Sequence, residues 1–450
     1  MMSREADIDS LVAPAAWGAA RADVAAVSPF RLADAPAGDE LVLFIEEDGT
    51  GWVGVGSVLR WAAGAAQGAT VLWAEVAAAL KAIGGEASGV RAFGRMVFDA
   101  DRPLDPFGAE IPAASFHVPR WLLRFPPQAT FGEGVPEAWV LWSATAGPEA
   151  LASELDRFRA WVARARRPER QPVVRVVPDE AERADFERAV GGALSAIARG
   201  EARKVVLARP RYLEAKAHLP VRRIFEQLAR RAPGTSRFLF VARDGAAFLG
   251  ASPECLVALD GRRVRADVLA GTCARAAEPA EDARLAHGLL QSDKDRHEHA
   301  LVREAVLAAL APFVTQLDAP EEPTLLPLPN VWHLRTPVAA VLASEAGLGD
   351  LVAALHPTPA VGGVPRETAV RLIGELELTG RGYYAGPVGW MSADAAFLAV
   401  GIRAAHVRGN RAAALAGAGV VAGSRPDAEW LETERKLAPM LAALTEAPPP

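Results

Sequence analysis

Cysteine is scarce in this sequence, and long apolar runs are absent from it. The two cysteines among 450 residues, Cys255 and Cys273, have neither metal-type nor redox-type spacing, and their scarcity favours a reducing compartment. No window reaches roughly 18 uninterrupted apolar residues, and the amino terminus lacks the basic start and apolar run of a signal peptide. We therefore expect a cytoplasmic protein that does not contact a membrane.

An excess of one charge sign is also absent. The chain has 49 Lys and Arg residues against 55 Asp and Glu residues, which gives a net charge of −6 with both signs interspersed. A protein that binds nucleic acid normally carries a basic face, so we expect a small molecule and no nucleic acid as the partner. The hydrophobic fraction of 51% is ample for a full core. For the assembly we expect a monomer or a weak homodimer.

The sequence changes in texture near residue 171. Before that point, short strand-like runs alternate with Gly and Pro, so 1–171 is interpreted as the amino-terminal part of the fold. Residues 172–445 carry the chemistry, and the tail 446–450 is expected to be disordered. Turn-type Gly or Asp joins many strands, which predicts antiparallel pairing. The strand candidates are 41–47, 52–61, 120–125, 138–144, 204–213, 236–242, 246–252 and 262–271, and helices are predicted over 148–166, 179–199 and 281–313 and from Pro426.

The stretch "SDKDRHEHALV" places charge on the apolar face of the long predicted helix. At about 100° per residue, Lys294 and Glu298 lie inside the apolar stripe. Asp293, Arg296 and His299 lie outside it and are predicted to be ordinary solvated charges. A carboxylate that faces a core requires a cation or a metal ion. An internal Lys294–Glu298 pair and a metal-ligand role for Glu298 both stay open at this point.

The last predicted helix, in "SRPDAEWLETERKLAPML", also carries carboxylates on one face. Glu429, Glu432 and Lys436 are spaced i, i+3 and i+7. Met440 and Leu444 continue the same face with apolar side chains. A hard cation such as Mg²⁺ takes oxygen ligands, so one carboxylate from each of the two helices would suffice to hold it. A surface face of Glu and Lys is the alternative.

Glycines precede the last helix in "LAGAGVVAGSRP". The run is similar to a loosened dinucleotide fingerprint, but too little chain follows Gly423 for the rest of a nucleotide-binding unit. We interpret Gly417, Gly419 and Gly423 as positions where the backbone approaches a ligand. Backbone N–H groups and a helix start favour an anionic group at such a place.

Taken together, the motifs resemble one family, the chorismate-utilising enzymes, and within it the isochorismate synthases. The matching segments follow the order of the family and cover most of residues 200–440. The resemblance implies an α+β fold, with a single large domain of two packed, mainly antiparallel β-sheets and helices on the outside. The segments are "KVVLAR" (204–209), "FLGASPECLV" (248–257), "LAGT" (269–272), "SDKDRHEHALV" (292–302), "WHLRTPV" (332–338), "LHPTPAVGGVPRE" (355–367), "RGYYAGPVGW" (381–390), "GIRAA" (401–405) and "AGAGVVAGSRPDAEWLETERKL" (416–437).

The resemblance also implies a cofactor and a substrate. The cofactor is Mg²⁺, and the substrate is chorismate, a cyclohexadiene with two carboxylates and one hydroxyl. Glu298 and Glu432 resemble the direct ligands of the ion, and Glu429 is expected to hold one of its water ligands. The ion would then clamp the carboxylate on the ring.

Two residues match the base and the acid of the family. Addition of a nucleophile at C2 and departure of the C4 hydroxyl need a base on one face of the ring and an acid on the other. Lys204 matches the base, and Glu254 of "SPE" matches the acid. Burial would favour the uncharged lysine and the protonated glutamic acid that these roles need. For Lys204, a structural strand-edge lysine is the alternative.

Two positions indicate water as the nucleophile. Relatives that use ammonia lack a lysine at the place of Lys204. Aminodeoxychorismate synthases often carry a nucleophilic lysine in "PIKGT", where this chain has "VLAGT" with Ala270. Alanine cannot form the covalent adduct, so water is the remaining choice.

Further residues match positions that bind the substrate. Arg403 of "GIRAA" and Tyr384 of "GYYAG" correspond to carboxylate-binding positions, and the planar fork of arginine suits that task. Lys436 and backbone amides near Gly419 would add donors. The ring site is expected to be lined by Gly271, Thr272 and His333.

Three questions stay open within the resemblance. A salicylate synthase would make isochorismate and then eliminate pyruvate, although "HPTPAVGG" is closer to the synthase-only branch than to the "TASG"-like segment of lyase-capable relatives. A non-catalytic chorismate-binding relative would not need both Lys204 and Glu254. Isochorismate feeds both menaquinone and siderophore biosynthesis, and "RGYYAGPVGW" favours the menaquinone type.

Overall fold

Most of the chain folds into strands, which form two large sheets. The structure is a computed structural model and describes residues 17–30, 32, 35–36, 38–63, 69–85, 89–129, 131, 134–143, 146–164, 172–178 and 180–445. The predicted tail 446–450 lies outside these residues. The strands are β1 (Trp17–Arg21), β2 (Leu41–Ile45), β3 (Gly51–Val55), β4 (Leu59–Ala63), β5 (Gly84–Gly85), β6 (Ala92–Met96), β7 (Ala114–Val118), β8 (Trp121–Phe125), β9 (Glu137–Ser143), β10 (Val174–Val176), β11 (Lys204–Ala215), β12 (Ser236–Val241), β13 (Ala247–Ser252), β14 (Cys255–Asp260), β15 (Arg263–Ala274), β16 (Val314–Asp318), β17 (Thr324–Pro327), β18 (Val331–Leu342), β19 (Gly363–Val364), β20 (Pro387–Met391), β21 (Ala395–Val400), β22 (Ala404–Arg408) and β23 (Arg411–Val421).

Helices cover the outer faces of the sheets. None of the helices described combines the length and the apolar composition that a bilayer crossing requires. The helices are α1 (Ala69–Ala82), α2 (Pro148–Val162), α3 (Glu182–Ala198), α4 (Val221–Arg231), α5 (Pro279–Gln291), α6 (Asp293–Leu310), α7 (Leu348–Leu355), α8 (Arg366–Leu376) and α9 (Pro426–Thr445).

The two sheets are almost entirely antiparallel. The large sheet has the order β10-β11-β23-β22-β13-β12-β2-β3-β8-β9-β1-β5, with β19 beside β11. The small sheet has the order β16-β18-β15-β14-β21-β20-β6-β7-β4, with β17 beside β18. Among the pairings described, β1 and β5 run parallel and the others run antiparallel. The predicted α+β fold of two mainly antiparallel sheets is confirmed.

Side-chain alternation explains how the large sheet is buried on both faces. Val42 and Phe44 of β2 belong to the core between the sheets, and Phe44 contacts Phe397 of the small sheet with ring centroids 6.1 Å apart. Leu41 and Leu43 point the other way, into a second core that α2, α4 and α9 cover. The helix α9 is therefore held against the large sheet by its apolar face.

Both sheets combine strands from before and after residue 171. In the large sheet β2 pairs with β12, and in the small sheet β6 pairs with β20. The amino-terminal part thus supplies strands to the same two sheets as the rest of the described chain. The boundaries predicted at 171 and 445 stay predictions.

The single strand predicted over 52–61 is wrong. The chain turns at Gly56, whose φ is +62°, so that β3 joins the large sheet and β4 joins the small one. Glycine adopts this conformation at little cost. The alternation of apolar residues continues through the turn, which is why the sequence pattern hides it.

The single helix predicted over 281–313 is also wrong. Ser292 has an extended backbone (φ −73°, ψ 111°), which ends α5 and begins α6. Its hydroxyl accepts a hydrogen bond from the backbone N–H of Asp295, as in an N-cap. Because of this break, helical-wheel angles counted from Leu290 do not apply to the residues of α6.

Candidate active site

A polar cavity lies where the two sheets meet α6 and α9. The empty space within it and at its opening to solvent together amounts to about 840 Å³. With the exceptions of Glu429 and Gly423, every residue predicted for the site lines it: Lys204, Glu254, Gly271, Thr272, Glu298, His333, Tyr384, Arg403, Gly417, Gly419, Glu432 and Lys436. The structure therefore brings together residues that are up to 232 positions apart in the chain, from Lys204 to Lys436.

Lys204 and Glu298 form the buried end of the cavity. Lys204 is the first residue of β11 and is 1% exposed, and its Nζ lies 2.8 Å from Oε1 of Glu298. On the neighbouring β23, Gly419 leaves room for both side chains. A Cβ at Gly419 would lie 2.8 Å from Oε1 of Glu298 and 3.0 Å from Cε of Lys204. Gly419 was predicted to let the backbone approach a ligand, and in the structure it is these two side chains that approach it.

Each of the three predicted metal-ligand carboxylates has a lysine partner. Besides Lys204 and Glu298, the Nζ of Lys436 lies 2.6 Å from Glu432, and the Nζ of Lys294 lies 3.5 Å from Glu429. Glu429 is 1% exposed and lies outside the lining, so it faces Lys294. The Lys294–Glu298 pair that stayed open from the sequence does not form, because Lys294 pairs with Glu429 of α9 and Glu298 pairs with Lys204 of β11.

The prediction that Lys294 lies inside an apolar stripe is wrong. Its side chain is 50% exposed, although it lines the mouth of the cavity. Its pKa is raised, because the attraction of Glu429, Glu298 and Glu432 outweighs the effect of partial burial. Lys294 is therefore a charged group at the entrance.

The chemistry of these donors fits a hard divalent cation. Glu298 and Glu432 come from two helices and line the same cavity, and carboxylate oxygens are ligands that Mg²⁺ accepts. The pKa of Glu429 is raised, first by burial and then by repulsion from Glu432. A bound cation would therefore relieve the repulsion between Glu429 and Glu432. Within the described residues, no group of three or more His, Cys, Asp or Glu side chains is already gathered in the manner of a metal site.

Glu254 is a buried carboxyl group between β13 and β14. The residue is 4% exposed, and its backbone N–H donates a hydrogen bond to the hydroxyl of Ser252. Burial and the nearby charge of Asp267 raise the pKa of Glu254 to about 8, against the opposing effect of Lys204, Arg403 and Lys436. At neutral pH the group is therefore protonated and can donate a proton.

Arg403 and His333 lie next to each other in the cavity wall. Arg403 has φ +51°, a conformation that is strained for a residue with a side chain, and its Nη2 lies 3.2 Å from Nε2 of His333. Burial, followed by the charges of Arg403 and Lys436, lowers the pKa of His333 to about 3. The ring is thus neutral, and its Nε2 accepts a hydrogen bond from the guanidinium of Arg403. Its Nδ1 lies 2.9 Å from the hydroxyl of Thr272 and 3.4 Å from the carbonyl of Gly271.

Tyr384 and Lys436 complete the polar lining on the side of β23. Burial raises the pKa of Tyr384 to about 12, so its phenol stays protonated and able to donate. Lys436 donates to the carbonyl of Gly417 at 2.9 Å. Both groups can therefore donate hydrogen bonds to an anion in the cavity.

Several lining residues were not predicted from the sequence. Arg381 donates to the carbonyls of Val206 and Val361 and pairs with Glu377, so it fixes the wall beside β11. Its position as the first residue of the "RGYYAG" motif was the available signal. The other unpredicted lining residues are Val206, Pro253, Leu269, Ala270, Lys294, Asp295, Ala360, Val361 and Ile402.

The prediction that His299 is a solvated charge is wrong. His299 is 2% exposed and lies on the buried face of α6 with Val302, Val306 and Leu310. The broken helix explains the error, because the apolar stripe was positioned from Leu290, which belongs to α5. The buried face of α6 begins at His299 instead. His299 does not line the cavity.

The fold and the cavity define an enzyme-like site for a small anion, with lysine and arginine donors on its walls and a protonated carboxyl group inside. Residues 19–445 match the family described as chorismate binding enzyme, and the chain belongs to this family. The predicted family resemblance is confirmed.

Two relatives illustrate how similar the sequence is to known proteins. "Salicylate biosynthesis isochorismate synthase" of Pseudomonas aeruginosa is 43% identical over 267 residues, which is 59% of this chain and 55% of that protein. The match therefore spans little more than half of the relative's length. "Isochorismate synthase MenF" of Bacillus subtilis is 33% identical over 360 residues, 78% of this chain and 74% of that protein.

A solved structure has the same fold over nearly the whole length. It is that of MenF, the menaquinone-specific isochorismate synthase from Escherichia coli, with a TM-score of 0.78 and 25% identity. The alignment covers 97% of this chain and 96% of that one.

Proposed function

We propose that the protein is an isochorismate synthase, an isomerase that adds water at C2 of chorismate and releases the C4 hydroxyl. The observation that carries the proposal is the presence of Lys204 and a protonated Glu254 in one cavity, together with Arg403 and Lys436 as anion donors. The relatives named above support the same reaction. The amino acids in the cavity therefore match what the reaction needs.

In the proposed mechanism Lys204 accepts a proton from the attacking water. Its amine is buried at the end of the cavity, where it donates to Glu298 in this structure. A base must be uncharged, so Lys204 must lose this proton and this partner before it acts. Ala270, which also lines the cavity, offers no nucleophile of its own, so water remains the nucleophile.

Glu254 donates the proton that lets the C4 hydroxyl leave as water. Its pKa of about 8 keeps the carboxyl group protonated at neutral pH. The proton taken up by Lys204 and the proton given by Glu254 balance in each turnover. A return of the proton from lysine to glutamate through solvent resets the site.

The carboxylates of chorismate meet two groups of residues. Arg403 can pair with one carboxylate through two parallel hydrogen bonds, and Tyr384 and Lys436 add single donors. Glu298 and Glu432 would hold Mg²⁺ directly, and Glu429 would hold one of its water ligands. When bound, the ion would supply the positive charge that pairs with the other carboxylate.

Isochorismate is a precursor for menaquinone and for siderophores, and the solved structure named above is described as menaquinone-specific. We favour the menaquinone type, in line with the "RGYYAGPVGW" motif.

Product analysis tests the proposal. The purified protein is incubated with chorismate and Mg²⁺, and the products are separated and identified by mass. We expect isochorismate without salicylate or pyruvate. Salicylate together with pyruvate would instead make the protein a salicylate synthase, and an unchanged chorismate pool would overturn the proposal. The Glu254→Gln protein, prepared in parallel, controls for contaminating enzymes of the expression host.

A further inference from the structure

His299 lies at a junction of three elements behind the cavity. It follows Glu298 on α6, and its buried ring contacts both β15 and β18. Its Nδ1 is 3.2 Å from the carbonyl oxygen of Ala270, and its Nε2 is 2.9 Å from the hydroxyl of Thr336. Both ring nitrogens therefore have partners on the small sheet.

The partners determine which nitrogen carries the proton. A carbonyl oxygen can only accept, so Nδ1 carries the hydrogen and donates it to Ala270. Nε2 then accepts from the hydroxyl of Thr336. The ring is thus a fixed donor and acceptor.

The carbonyl of Ala270 belongs to a bulge in β15. The pairing between β15 and β18 shifts register between Ala270 and Thr272, and Gly271 has φ +81°. A bulge turns the side chains that follow it toward a new direction. After the shift, Thr272 pairs with His333, whose ring holds Arg403.

We propose that His299 is a positioning residue, whose bond to the Ala270 carbonyl holds the bulge of β15 so that Thr272 and His333 orient Arg403. The same residue links this wall to α6, which carries Glu298 one position earlier. His299 contacts no substrate, so it acts through these neighbours. The consequence for catalysis rests on the proposed function, whereas the consequence for binding rests only on the chorismate-binding site.

Substitution by the two amides separates the two hydrogen bonds of the ring. Asparagine places an amide N–H near the position of Nδ1, whereas glutamine reaches the position of Nε2. His299→Asn can therefore keep the bond to Ala270, and His299→Gln loses it. Thr336→Val removes the partner of Nε2 while the donor to Ala270 remains, so it serves as the matched control.

The affinity for chorismate is the first measurement, made by calorimetry with metal-free protein. We expect His299→Asn and Thr336→Val to bind within about threefold of the wild type, and His299→Gln to bind about tenfold more weakly, the cost of one buried hydrogen bond. In steady-state kinetics His299→Gln should raise KM by a larger factor than it lowers kcat. If wild type binds chorismate but forms no isochorismate, the proposed function fails and the affinities still decide the role of His299.

A remote core variant controls for a loss of stability alone. Leu228 on α4 is buried in the second core, on the far face of the large sheet from the small one. Leu228→Ala should lower the melting temperature without changing the affinity for chorismate. Equal affinities for the Asn and Gln variants, or a loss in Leu228→Ala as large as that in His299→Gln, would show that His299 only packs.

Discussion

Burial and a nearby negative charge keep the Glu254 carboxyl group protonated. Burial disfavours its carboxylate, and the negative charge of Asp267 adds to this effect, so that the pKa rises to about 8. Asp267 is itself held by Arg335, with 2.8 Å between Nε and Oδ1. The pKa of the acid is therefore raised in part by a residue that does not line the cavity.

This arrangement predicts a pH dependence. A general acid acts in its protonated form, so the wild-type kcat/KM should fall as the pH rises through about 8. Asp267→Asn removes a nearby negative charge, which lowers the pKa of Glu254, so its alkaline fall should begin at lower pH. Rate profiles of both proteins from pH 6 to about 9.5 give the comparison. Coincident alkaline limbs would separate Glu254 from the acid role.

Arg403 is a second residue whose exchange has a defined result. Arg403→Lys keeps the charge and a side chain at the same φ, so backbone strain is unchanged, but the planar fork is lost. We expect a fall in kcat/KM that corresponds to about 1–3 kcal/mol, the usual value of a hydrogen bond to a charged group. Steady-state kinetics with chorismate measures it. Unaltered kinetics would remove Arg403 from the carboxylate site.

At the scale of elements, α6 shows what sequence patterns can and cannot provide. Glu298 was singled out because a carboxylate on a mostly apolar helix needs a partner, and the structure provides Lys204. Lys294 and His299 were misplaced because one continuous helix was assumed. The capping serine and the aspartate three residues later, Ser292 and Asp295, were the local signal for the break.

The start of α6 also predicts a competition between lysine and metal. Lys294 lies 3.5 Å from Glu429 and is half exposed, so its charge can be removed without opening a cavity. Because its ammonium occupies the same negative region as the ion would, Lys294→Met should bind Mg²⁺ more tightly, by about two- to fivefold, as for one partly exposed charge pair. Calorimetry in the presence of chorismate, in a Glu254→Gln background that prevents turnover, measures this affinity. Lys294→Arg should behave as the parent protein, and a weaker affinity in the Met variant would contradict the competition.

For the molecule as a whole, the sequence predicted the components better than their arrangement. The ordered motifs after residue 200 predicted the fold and the cavity residues, because each motif contains side chains whose type the proposed reaction requires. The strands before residue 171 carry no such constraint, and their pairing with later strands, as β2 with β12, depends on contacts nearly 200 residues apart. Local alternation does not specify such partners. The turn at Gly56 is the clearest case, because the apolar pattern continues while the chain changes sheets.

The central claim is that this cavity adds water to C2 of chorismate with Lys204 as the base. The most direct measurement is the reaction in water enriched with oxygen-18, sampled before equilibrium and analysed by mass spectrometry, for wild type and Lys204→Ala. We predict that wild-type isochorismate gains a single oxygen-18 atom. We also predict that the alanine variant still binds chorismate but loses activity by about 10²–10⁴-fold. Unlabelled isochorismate from the wild type, or labelled isochorismate from Lys204→Ala at half the wild-type rate, would contradict the account.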